Sequence, residues 1–454
     1  MKKRVMKAIS MGLVVLMTAS LLSGCGGSKA SDSEAAGDDK ATESADGGAA
    51  GEGGEIVFWN GTTDEVDVIV YKEAMDKFNN ETKTGYTVET VHIQNDIYKE
   101  RIVVAMSSGE TPDMYTTWSG GPMNEYIESG HAQPITELFN NSELPNRLME
   151  AAVAQSTYKD DIYAVPFINV ALSGFYYNKD MFAEYNIEEP KTLGELEAAC
   201  VTLKENGITP FALANGPKWT GSMYFMNLAA RKGGLEPFQA AVAGTGTFED
   251  ESFIYAGNKI IEWTENGYFP EGVNSLSEDD GQARQMIYQE TAGMTLIGSW
   301  YTGIIKQESE EFYEKVGWFP FPAIEDGYAD ASIMIGTIGD NFISFNCEGD
   351  KLAAAFECAS QFSEPDVVEF MVEKGKVPPI QGIESQITDP ISKEIITAAN
   401  DASSTQLWYD QYLPPSVAQV HLDTSQELFG LTMTSEEAAK QFQAAMQKYI
   451  DENE

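Results

Sequence analysis

Residues 162–182 constrain the fold of this chain more than any other stretch of the sequence. The residue before a proline is pushed out of the helical region, so the chain around Val165 and Pro166 is predicted to be extended. The apolar and aromatic run over residues 171–177 is typical of a buried strand. Polar residues follow at 177–180. The stretch therefore predicts an extended segment, a buried strand and a turn that opens a helix.

Strand and helix patterns alternate at the start of the folded body. Strands are predicted at 55–60, 86–93 and 111–115, and amphipathic helices between them at 66–80 and 98–108. This alternation predicts a parallel sheet with crossover helices, and ligands of such sheets bind at the carboxyl ends of the strands. The residues expected at those ends are Trp59, Asn60, Thr62 and Trp118.

The length and the charge of the chain limit its organisation. About 400 residues follow position 54, which is too many for one hydrophobic core, so we expect two lobes. The formal net charge is −42. Binding to nucleic acid or to an anionic membrane surface needs clustered Lys and Arg, and this composition argues against both.

The first 25 residues have the pattern of an exported lipoprotein. Four basic residues between positions 2 and 7 precede an uncharged apolar run over residues 9–22, typical of a secretory signal. The alternative is a membrane anchor, but the run is short for a span of about 20 residues. Leu22-Ser23-Gly24-Cys25 resembles the bacterial lipobox. This resemblance implies a signal peptide over residues 1–24, cleaved before Cys25, and the attachment of a diacylglyceryl group and an acyl chain to Cys25.

Residues 25–54 are predicted to form a disordered acidic tether. They contain Gly, Ala, Ser, Asp and Glu but no aromatic or large apolar residue. Such a segment cannot bury enough surface to offset the entropy lost on ordering. We therefore expect a folded body held off the extracytoplasmic face of the cell membrane by a lipid anchor.

The sequence has no recognisable signature of an enzyme or of a metal site. It lacks GxSxG, HExxH, P-loop and Cys–His nucleophile patterns. Its histidines, at positions 92, 131 and 421, are scattered and are interpreted as surface or strand residues. No cysteine spacing suits zinc. Cys200 is predicted to be buried, while Cys347 and Cys358 could pair or remain free. We expect no catalytic residue, no cofactor and no metal.

Several motifs resemble one bacterial family. They are YYNKD at 176–180, PKTLGEL at 190–196, AGMTLIGSW at 292–300, VGWFPFP at 316–322, and shorter pieces at 428–430 and 435–438. Together they are similar to the bacterial extracellular solute-binding proteins of family 1, the maltose-binding type that feeds sugar ABC importers. The resemblance covers nearly all of the chain after the tether. Within PKTLGEL, Thr192 and Glu195 also predict a capping box at a helix start.

The resemblance implies an α/β, two-lobed periplasmic-binding-protein fold (type II, or Venus-flytrap), with a helix-flanked sheet in each lobe. It implies an N-lobe of residues 55–168 and 336–377 and a C-lobe of residues 169–335 and 378–454, joined by three crossings. Residues 336–345 are predicted to form one strand that rejoins the first sheet. The implied function is that of a monomeric substrate-binding lipoprotein, which captures a sugar or oligosaccharide, closes around it and docks on ABC transporter permease subunits.

The residues expected near the cleft favour an uncharged ligand. Four arginines follow the signal segment and none is at a predicted strand end, whereas anionic ligands are usually held by an Arg fork. A sugar ring offers an apolar face to an indole and hydroxyl groups to polar side chains. Trp263 and Trp318 are predicted to be core residues. The predicted ligand-binding residues are Trp59, Asn60, Trp118, Asn169, Trp219, Trp300, Trp408 and Asp410.

Two alternatives remain open. A lipid-anchored glycosidase would need a pair of acidic residues across the cleft. Neighbouring acids such as Asp279 and Asp280 are instead interpreted as a solvated surface. A binding protein for a non-sugar solute such as a polyamine would place several carboxylates among the tryptophans.

Overall fold

The structure, a computed structural model, describes residues 53–339 and 341–453. The predicted signal peptide, the lipidation at Cys25 and the tether up to residue 52 lie outside the described residues. The described residues belong to one compact unit. Within the described ranges, no helix is both long enough and apolar enough to cross a membrane.

The strands and helices have the following bounds. The strands are β1 (Glu55–Asn60), β2 (Thr87–His92), β3 (Met114–Thr117), β4 (Thr157–Tyr158), β5 (Asp161–Ile162), β6 (Ala164–Phe167), β7 (Val170–Asn178), β8 (Thr209–Phe211), β9 (Ala292–Gly298), β10 (Val316–Phe319), β11 (Met334–Ile338), β12 (Asn341–Phe345) and β13 (Thr405–Gln406). The α-helices are α1 (Glu65–Glu81), α2 (Asn95–Ser108), α3 (Gly121–Glu128), α4 (Thr136–Asn140), α5 (Leu144–Arg147), α6 (Glu150–Gln155), α7 (Lys179–Glu184), α8 (Leu193–Glu205), α9 (Trp219–Gly233), α10 (Glu236–Val242), α11 (Glu251–Glu265), α12 (Gln282–Tyr288), α13 (Tyr301–Glu308), α14 (Glu310–Tyr313), α15 (Gly349–Ser360), α16 (Pro365–Glu373), α17 (Pro390–Asp401), α18 (Tyr409–Tyr412), α19 (Pro415–Phe429) and α20 (Ser435–Asn453). Short 3₁₀ helices are Val273–Ser275, Gln361–Ser363 and Ile383–Ser385.

The first sheet has five strands in the order β2-β1-β3-β12-β6. β1 pairs parallel with β2 and with β3, so α1 and α2 are the crossover helices that the alternating pattern predicts. α1 buries Val66, Val70, Ala74 and Phe78, one residue in four, which is the spacing of a helix face packed on a sheet. The carboxyl ends of β1 and β3 therefore lie together at one edge of this sheet.

The second sheet is built around β7, the strand that the run over residues 171–177 predicts. Every residue of β7 except Tyr177 is buried. The sheet has the order β13-β11-β7-β9-β8. β9 pairs with one side of β7, while β11 and β10 pair with the first and last residues of its other side. At Gly174 a Cβ would lie 2.3 Å from the ring of Trp318, so only glycine allows this indole to pack on the strand.

The chain passes between the two sheets three times, between β6 and β7, between β11 and β12, and between α16 and β13. The first passage goes through Ile168, which has a φ of +68°, and Asn169. The side-chain Oδ1 of Asn169 accepts a hydrogen bond from the backbone N–H of Val377 at 2.7 Å. The N–H of Val170 donates to the carbonyl oxygen of Val377 at 2.6 Å. The first and third passages are thus hydrogen-bonded to each other.

The predicted single strand over residues 336–345 is wrong. β11 ends at Ile338 and pairs with β7 in the second sheet, whereas β12 begins at Asn341 and pairs with β3 and β6 in the first. Between them Gly339 has a φ of +122°, a conformation that favours glycine, and the chain changes sheets there. The prediction treated the apolar residues of both strands as one run, although Gly339 and Asp340 interrupt it.

Local predictions elsewhere are mostly confirmed. Thr192 and Glu195 form the predicted capping box of α8, and the indoles of Trp263 and Trp318 are buried in the core. Cys200, Cys347 and Cys358 are buried free thiols. The interpretation of His421 as a surface or strand residue is wrong. It is buried in α19, where its Nε2 lies 2.7 Å from the hydroxyl of Ser222.

Candidate functional site

A cavity of about 130 Å³, here called the inner cavity, lies between elements of the two sheets. Its residues from the first-sheet side are Gly61, Thr62, Thr63, Asp64, Asp67, Tyr71, Asn95, Lys99, Trp118 and Asn341. Those from the second-sheet side are Trp219, Met223, Met226, Glu278, Asp279, Arg284, Trp300, Ile304, Trp408, Asp410 and Gln411. The site is therefore made by both lobes together.

A second and larger space, here called the outer groove, continues from the inner cavity. It has a volume of about 720 Å³ and runs between α2 on one side and α19 and the turn at Asn274–Ser277 on the other. Five residues line both spaces and form a neck between them: Lys99, Trp118, Trp219, Asp410 and Gln411. An extended ligand could pass from one space to the other through this neck.

Three tryptophans of the second-sheet side form one aromatic wall. Trp219 begins α9, Trp300 follows β9, and Trp408 precedes α18. The ring centroids of Trp219 and Trp300 are 6.0 Å apart, and those of Trp300 and Trp408 are 6.1 Å apart. Trp300 is thus the central ring of the wall. Trp118, which follows β3, packs edge-on against Tyr98 and faces the cavity from the other lobe.

The Gly-Ser-Trp sequence at the end of β9 explains how Trp300 is held. A Cβ at Gly298 would lie 1.9 Å from the indole of Trp300, so a larger residue would displace the ring. The hydroxyl of Ser299 donates to the carbonyl oxygen of Val170 at 2.5 Å and accepts from the N–H of Leu172 at 3.1 Å. These bonds fix the turn after β9 to the central strand, and the indole is positioned by backbone geometry.

Arg284 on α12 is the centre of the charged part of the cavity. Its side chain is only 9% exposed, and its Nε donates to a carboxylate oxygen of Glu308 at 2.8 Å. Its Nη1 donates to the carbonyl oxygen of Glu278 at 3.0 Å. Its Nη2 lies 3.5 Å from the carboxylate of Asp64, which belongs to the first-sheet side. The guanidinium therefore links the two sides of the cleft.

Four acidic groups of the cavity have raised pKa values. Burial raises the pKa of Asp64 to about 6, with a further contribution from the charge of Asp67 and opposition from Arg284. Burial raises the pKa of Glu278 to about 8, although Arg284 opposes the rise. Burial also raises the pKa of Asp279 and of Asp410. A cavity with five carboxyl groups is consequently less negative at neutral pH than their number suggests.

Further polar contacts cross the cleft at the start of α2. The backbone N–H of Asp96 donates to the carboxylate of Asp279 at 2.9 Å. The first amides of a helix have no partner within the helix, and here the opposite lobe supplies one. The indole N–H of Trp219 donates to the carboxylate of Asp96 at 3.3 Å. Together with the link between Asp64 and Arg284, these bonds hold the two sides close.

Five of the eight predicted ligand-binding residues line the inner cavity. They are Trp118, Trp219, Trp300, Trp408 and Asp410. They come from separate parts of the chain and meet because strand ends and the segments that follow them gather at the cleft. Direct contact with a ligand stays a prediction for all of them.

The other three predicted residues do not line the inner cavity. Successive residues of a strand point to opposite faces of a sheet. The side chains of the last two residues of β1 therefore lie on the two faces of the first sheet and not beyond the end of the strand, where the cavity is. Trp59 packs under the guanidinium of Arg101, 5.1 Å from the ring centroid, and Asn60 is buried with its Oδ1 2.9 Å from Nδ1 of His92. Asn169 is engaged in the bond between the first and third passages.

Sequence reasoning found Asp410 but missed the other charged residues of the cavity. No arginine lies at a predicted strand end, yet Arg284 lines the cavity from helix α12. The interpretation of Asp279 as a solvated surface residue is wrong. Asp64 lies four residues beyond the end of β1 and could have been found from that position. Arg284 lies within a helix, so a search for polar residues at strand ends does not find it.

The cavity offers ring faces and hydrogen-bonding groups side by side. The side-chain Oε1 of Gln411 is buried without a hydrogen-bond partner among the described residues, and it lines the cavity as a free acceptor. In the described part of the chain, no group of three or more His, Cys, Asp or Glu side chains could hold a metal ion. This arrangement suits a ligand that has both an apolar face and hydroxyl groups.

The chain has clear relatives among known proteins. The model of the bacterial extracellular solute-binding protein family matches residues 60–360. An uncharacterised ABC transporter extracellular-binding protein of Pyrococcus horikoshii is 27% identical over 313 residues, 66% of this chain and 66% of the relative. The multiple sugar-binding protein of Streptococcus mutans is 26% identical over 365 residues, 77% of this chain and 76% of the relative.

A structure from work on xylan utilization by the thermophilic bacterium Caldanaerobius polysaccharolyticus is 27% identical, with a TM-score of 0.80 over 86% of this chain and 99% of that chain. This chain thus spans slightly less than two thirds of the Pyrococcus relative and almost all of the solved one.

Proposed function

The chain belongs to the bacterial extracellular solute-binding proteins, and we propose that it captures a sugar or oligosaccharide in the inner cavity and delivers it to the permease of an ABC importer. Its fold, two α/β lobes with the cleft between them, is that of the periplasmic solute-binding proteins. The aromatic wall carries the proposal. Three indoles in contact supply a broad apolar surface for the C–H face of a sugar ring. The similarity to a multiple sugar-binding protein supports the same ligand class.

Polar groups around the wall would bind the hydroxyl groups of the sugar. Gln411 offers a free acceptor, and Asp410 and Asn341 lie beside it on the cavity lining. Trp118, on the first-sheet side, is available to stack on the ring from the opposite direction. The proposed direct contacts are therefore Trp118, Trp219, Trp300, Trp408 and Asp410.

Capture and closure form the proposed mechanism. A ligand that contacts both lobes favours the closed arrangement, because those contacts exist together only there. The ion pair between Arg284 and Asp64, and the hydrogen bond between Asp279 and the start of α2, also stabilise the closed arrangement. The closed form then docks on the permease, and the ligand is released.

The remaining parts of the proposal concern location and organisation. The protein is a monomer held at the extracytoplasmic face of the membrane by the lipid on Cys25. Its lobes keep the predicted boundaries, except that the second passage follows Ile338, the last residue of β11. A tether after Cys25 gives the folded body reach to the permease.

Binding without turnover is the proposed activity. The cavity does contain acidic residues from both sides, Asp64 and Glu278, as a glycosidase requires. Both carboxylates, however, lie within 4.0 Å of the guanidinium of Arg284. A general acid must instead reach the glycosidic oxygen, so this pair is better suited to holding the lobes together.

A cationic solute such as a polyamine is the second candidate. Five carboxyl groups line the inner cavity, at Asp64, Asp67, Glu278, Asp279 and Asp410. Carboxylates among tryptophans are the pattern expected for a polyamine. The raised pKa values of four of these groups and the presence of Arg284 and Lys99 weaken this candidate.

Thermal melting of the purified protein tests the proposal. The ligand panel contains monosaccharides, oligosaccharides, amino acids and polyamines, and any ligand that binds only the folded state raises the melting temperature. We expect a shift with one series of sugars. A shift with polyamines alone would favour the second candidate, and the absence of any sugar shift would contradict the proposal. Chromatography of the sugar after several hours should show no product.

A further inference from the structure

We propose that Lys99 is a specificity-determining residue, whose ammonium group occupies an aromatic and acidic neck that would otherwise take a cationic solute. The ammonium group thereby fills the position that a cationic ligand would take, so the cleft favours neutral ligands. The inference deepens the proposed function and rests on it, because the neck is part of the same cleft.

The position of the ammonium group carries the inference. Lys99 lies on α2 and is half-buried, with its Nζ 5.2 Å from the ring centroid of Trp118 and 5.5 Å from that of Trp219. The two indoles belong to opposite lobes. Both distances are within the range of about 6 Å over which a cation is attracted to the face of an indole. Lys99 thus stands between two ring faces that a ligand would use.

Acidic groups complete the surroundings of this ammonium. The positive charge of Lys99 lowers the pKa of Asp410 and of Asp279, although burial raises both more strongly. Asp96 lines the outer groove beside Lys99. Among the described residues, the Nζ of Lys99 forms no ion pair and no hydrogen bond. Ring faces and more distant charges therefore hold the ammonium, without a direct partner.

An alkylammonium group is attracted to the faces of indoles and to nearby carboxylates. Without Lys99, the neck would offer both kinds of group to a free amine. A tethered cation competes with free amines at a high effective concentration. A polyamine would also bring like charge towards Lys99, whereas a neutral sugar would only push aside a flexible four-carbon stem. The same residue therefore excludes cations and admits neutral rings.

The test compares spermidine binding to the native protein and to the variant Lys99→Met, which keeps an apolar stem and removes the charge. In calorimetry we expect the native protein to bind spermidine with a Kd above about 1 mM. We expect the variant to bind with a Kd below about 0.1 mM, at least a tenfold gain in affinity, which corresponds to about 1.4 kcal/mol. Raising the salt concentration should weaken this new binding, because it depends on charge.

Arg101→Met is the matched control. Arg101 lies on the same helix and its guanidinium also covers an indole, that of Trp59, at 5.1 Å, but neither residue lines the inner cavity or the outer groove. This variant should not gain spermidine binding. Lys99→Arg keeps the charge and should exclude spermidine as the native protein does.

Equal spermidine binding by the native protein and Lys99→Met, or no gain in the variant, would overturn the inference. Circular dichroism verifies folding, and Lys99→Gln replaces Lys99→Met if the latter is unfolded. The sugar-induced melting shift of the native protein reports on the proposed function separately. A gain of spermidine binding without any sugar shift would support the role of Lys99 and contradict sugar capture.

Discussion

The two sides of the inner cavity have different chemistry. The second-sheet side presents the aromatic wall together with most of the charged residues of the cavity, whereas the first-sheet side presents one indole, Trp118, among hydroxyl, carboxylate and ammonium groups. Stacking energy therefore comes chiefly from one lobe. The other lobe mainly offers groups that bind the rim of a ligand or the opposite side of the cleft.

The two sides also differ in what holds their residues in place. Trp300 is positioned by Gly298 and by backbone hydrogen bonds of Ser299, which do not depend on charge. The acidic groups of the first-sheet side depend on counter-ions. Asp67 pairs with the buried Lys376, and Asp64 depends on Arg284 from the other lobe. Trp300 is therefore held by groups of its own lobe, whereas Asp64 has its counter-ion in the opposite lobe.

Removing the counter-ion should give the largest effect on stability. Arg284→Met leaves the carboxylates of Asp64 and Glu308 without their shared guanidinium, and loss of one partner of a buried ion pair costs about 3–5 kcal/mol. We expect urea unfolding at neutral pH to show a loss of this size.

The loss in Arg284→Met should shrink near pH 4–5, below the pKa of about 6 of Asp64, because this carboxyl is then protonated and no longer needs a counter-ion. The exposed Arg101 provides the control, since Arg101→Met should change stability by less than about 0.5 kcal/mol. Equal midpoints for Arg284→Met and the native protein would show that Asp64 does not need this link.

Truncating the central ring should give the largest effect on ligand binding. Trp300→Ala removes the indole that contacts both Trp219 and Trp408, so the wall is interrupted at its middle. Titration calorimetry with the sugar that raises the melting temperature should show a loss of at least about 2 kcal/mol, roughly thirtyfold in affinity. Trp300→Phe keeps an aromatic face and should lose less. Unchanged affinity in Trp300→Ala would show that the ligand stacks on the first-sheet side instead.

Neutralising Glu278 should have an effect on stability that depends on pH. Its pKa is raised to about 8 in the folded protein, chiefly by burial, so the folded state holds the proton more tightly than the unfolded state does. Stability is therefore lost as pH rises from about 4.5 to about 8 and stays low above that. Glu278→Gln removes this loss, and each pKa unit corresponds to about 1.4 kcal/mol. We expect the variant to be at least about 1 kcal/mol more stable than the native protein at pH 9 and no more stable at pH 4.

The exposed Glu271 gives the control for this pH dependence. Glu271→Gln should leave stability unchanged at both pH values. A Glu278→Gln variant with the same advantage at pH 4 as at pH 9 would show that its effect comes from packing and not from charge.

Trp59→Ala should have the smallest effect on binding. Trp59 packs with Arg101 and does not line the inner cavity, so we expect a change in affinity below about twofold, or about 0.4 kcal/mol. Trp118→Ala, which removes the indole that lines the cavity from the same lobe, should cost more. A larger loss in Trp59→Ala than in Trp118→Ala would mean that the ligand uses β1 itself, as the sequence predicts.

The sequence determined the features that depend on neighbouring residues. Local composition and spacing determine the apolar run of β7, the alternation around β1, β2 and β3, and the capping box of α8. These features depend on residues that are close in sequence, so they do not require the rest of the fold. Strand-end tryptophans could be found in the same way, because the end of a strand is visible in the sequence and ligands collect there. Four of the five tryptophans predicted as ligand-binding residues accordingly line the cavity.

Only the tertiary structure decided which distant residues meet. The change of sheet between β11 and β12 depends on partners, and the apolar pattern is the same in both strands. Arg284 becomes a cleft residue because α12 is carried there by the second lobe. Lys99 stands between two indoles because two lobes approach each other, and its helix pattern shows only a polar position. Side-chain charge and spacing are local properties, but the partners that give a charge its role are brought together by packing over long separations in sequence.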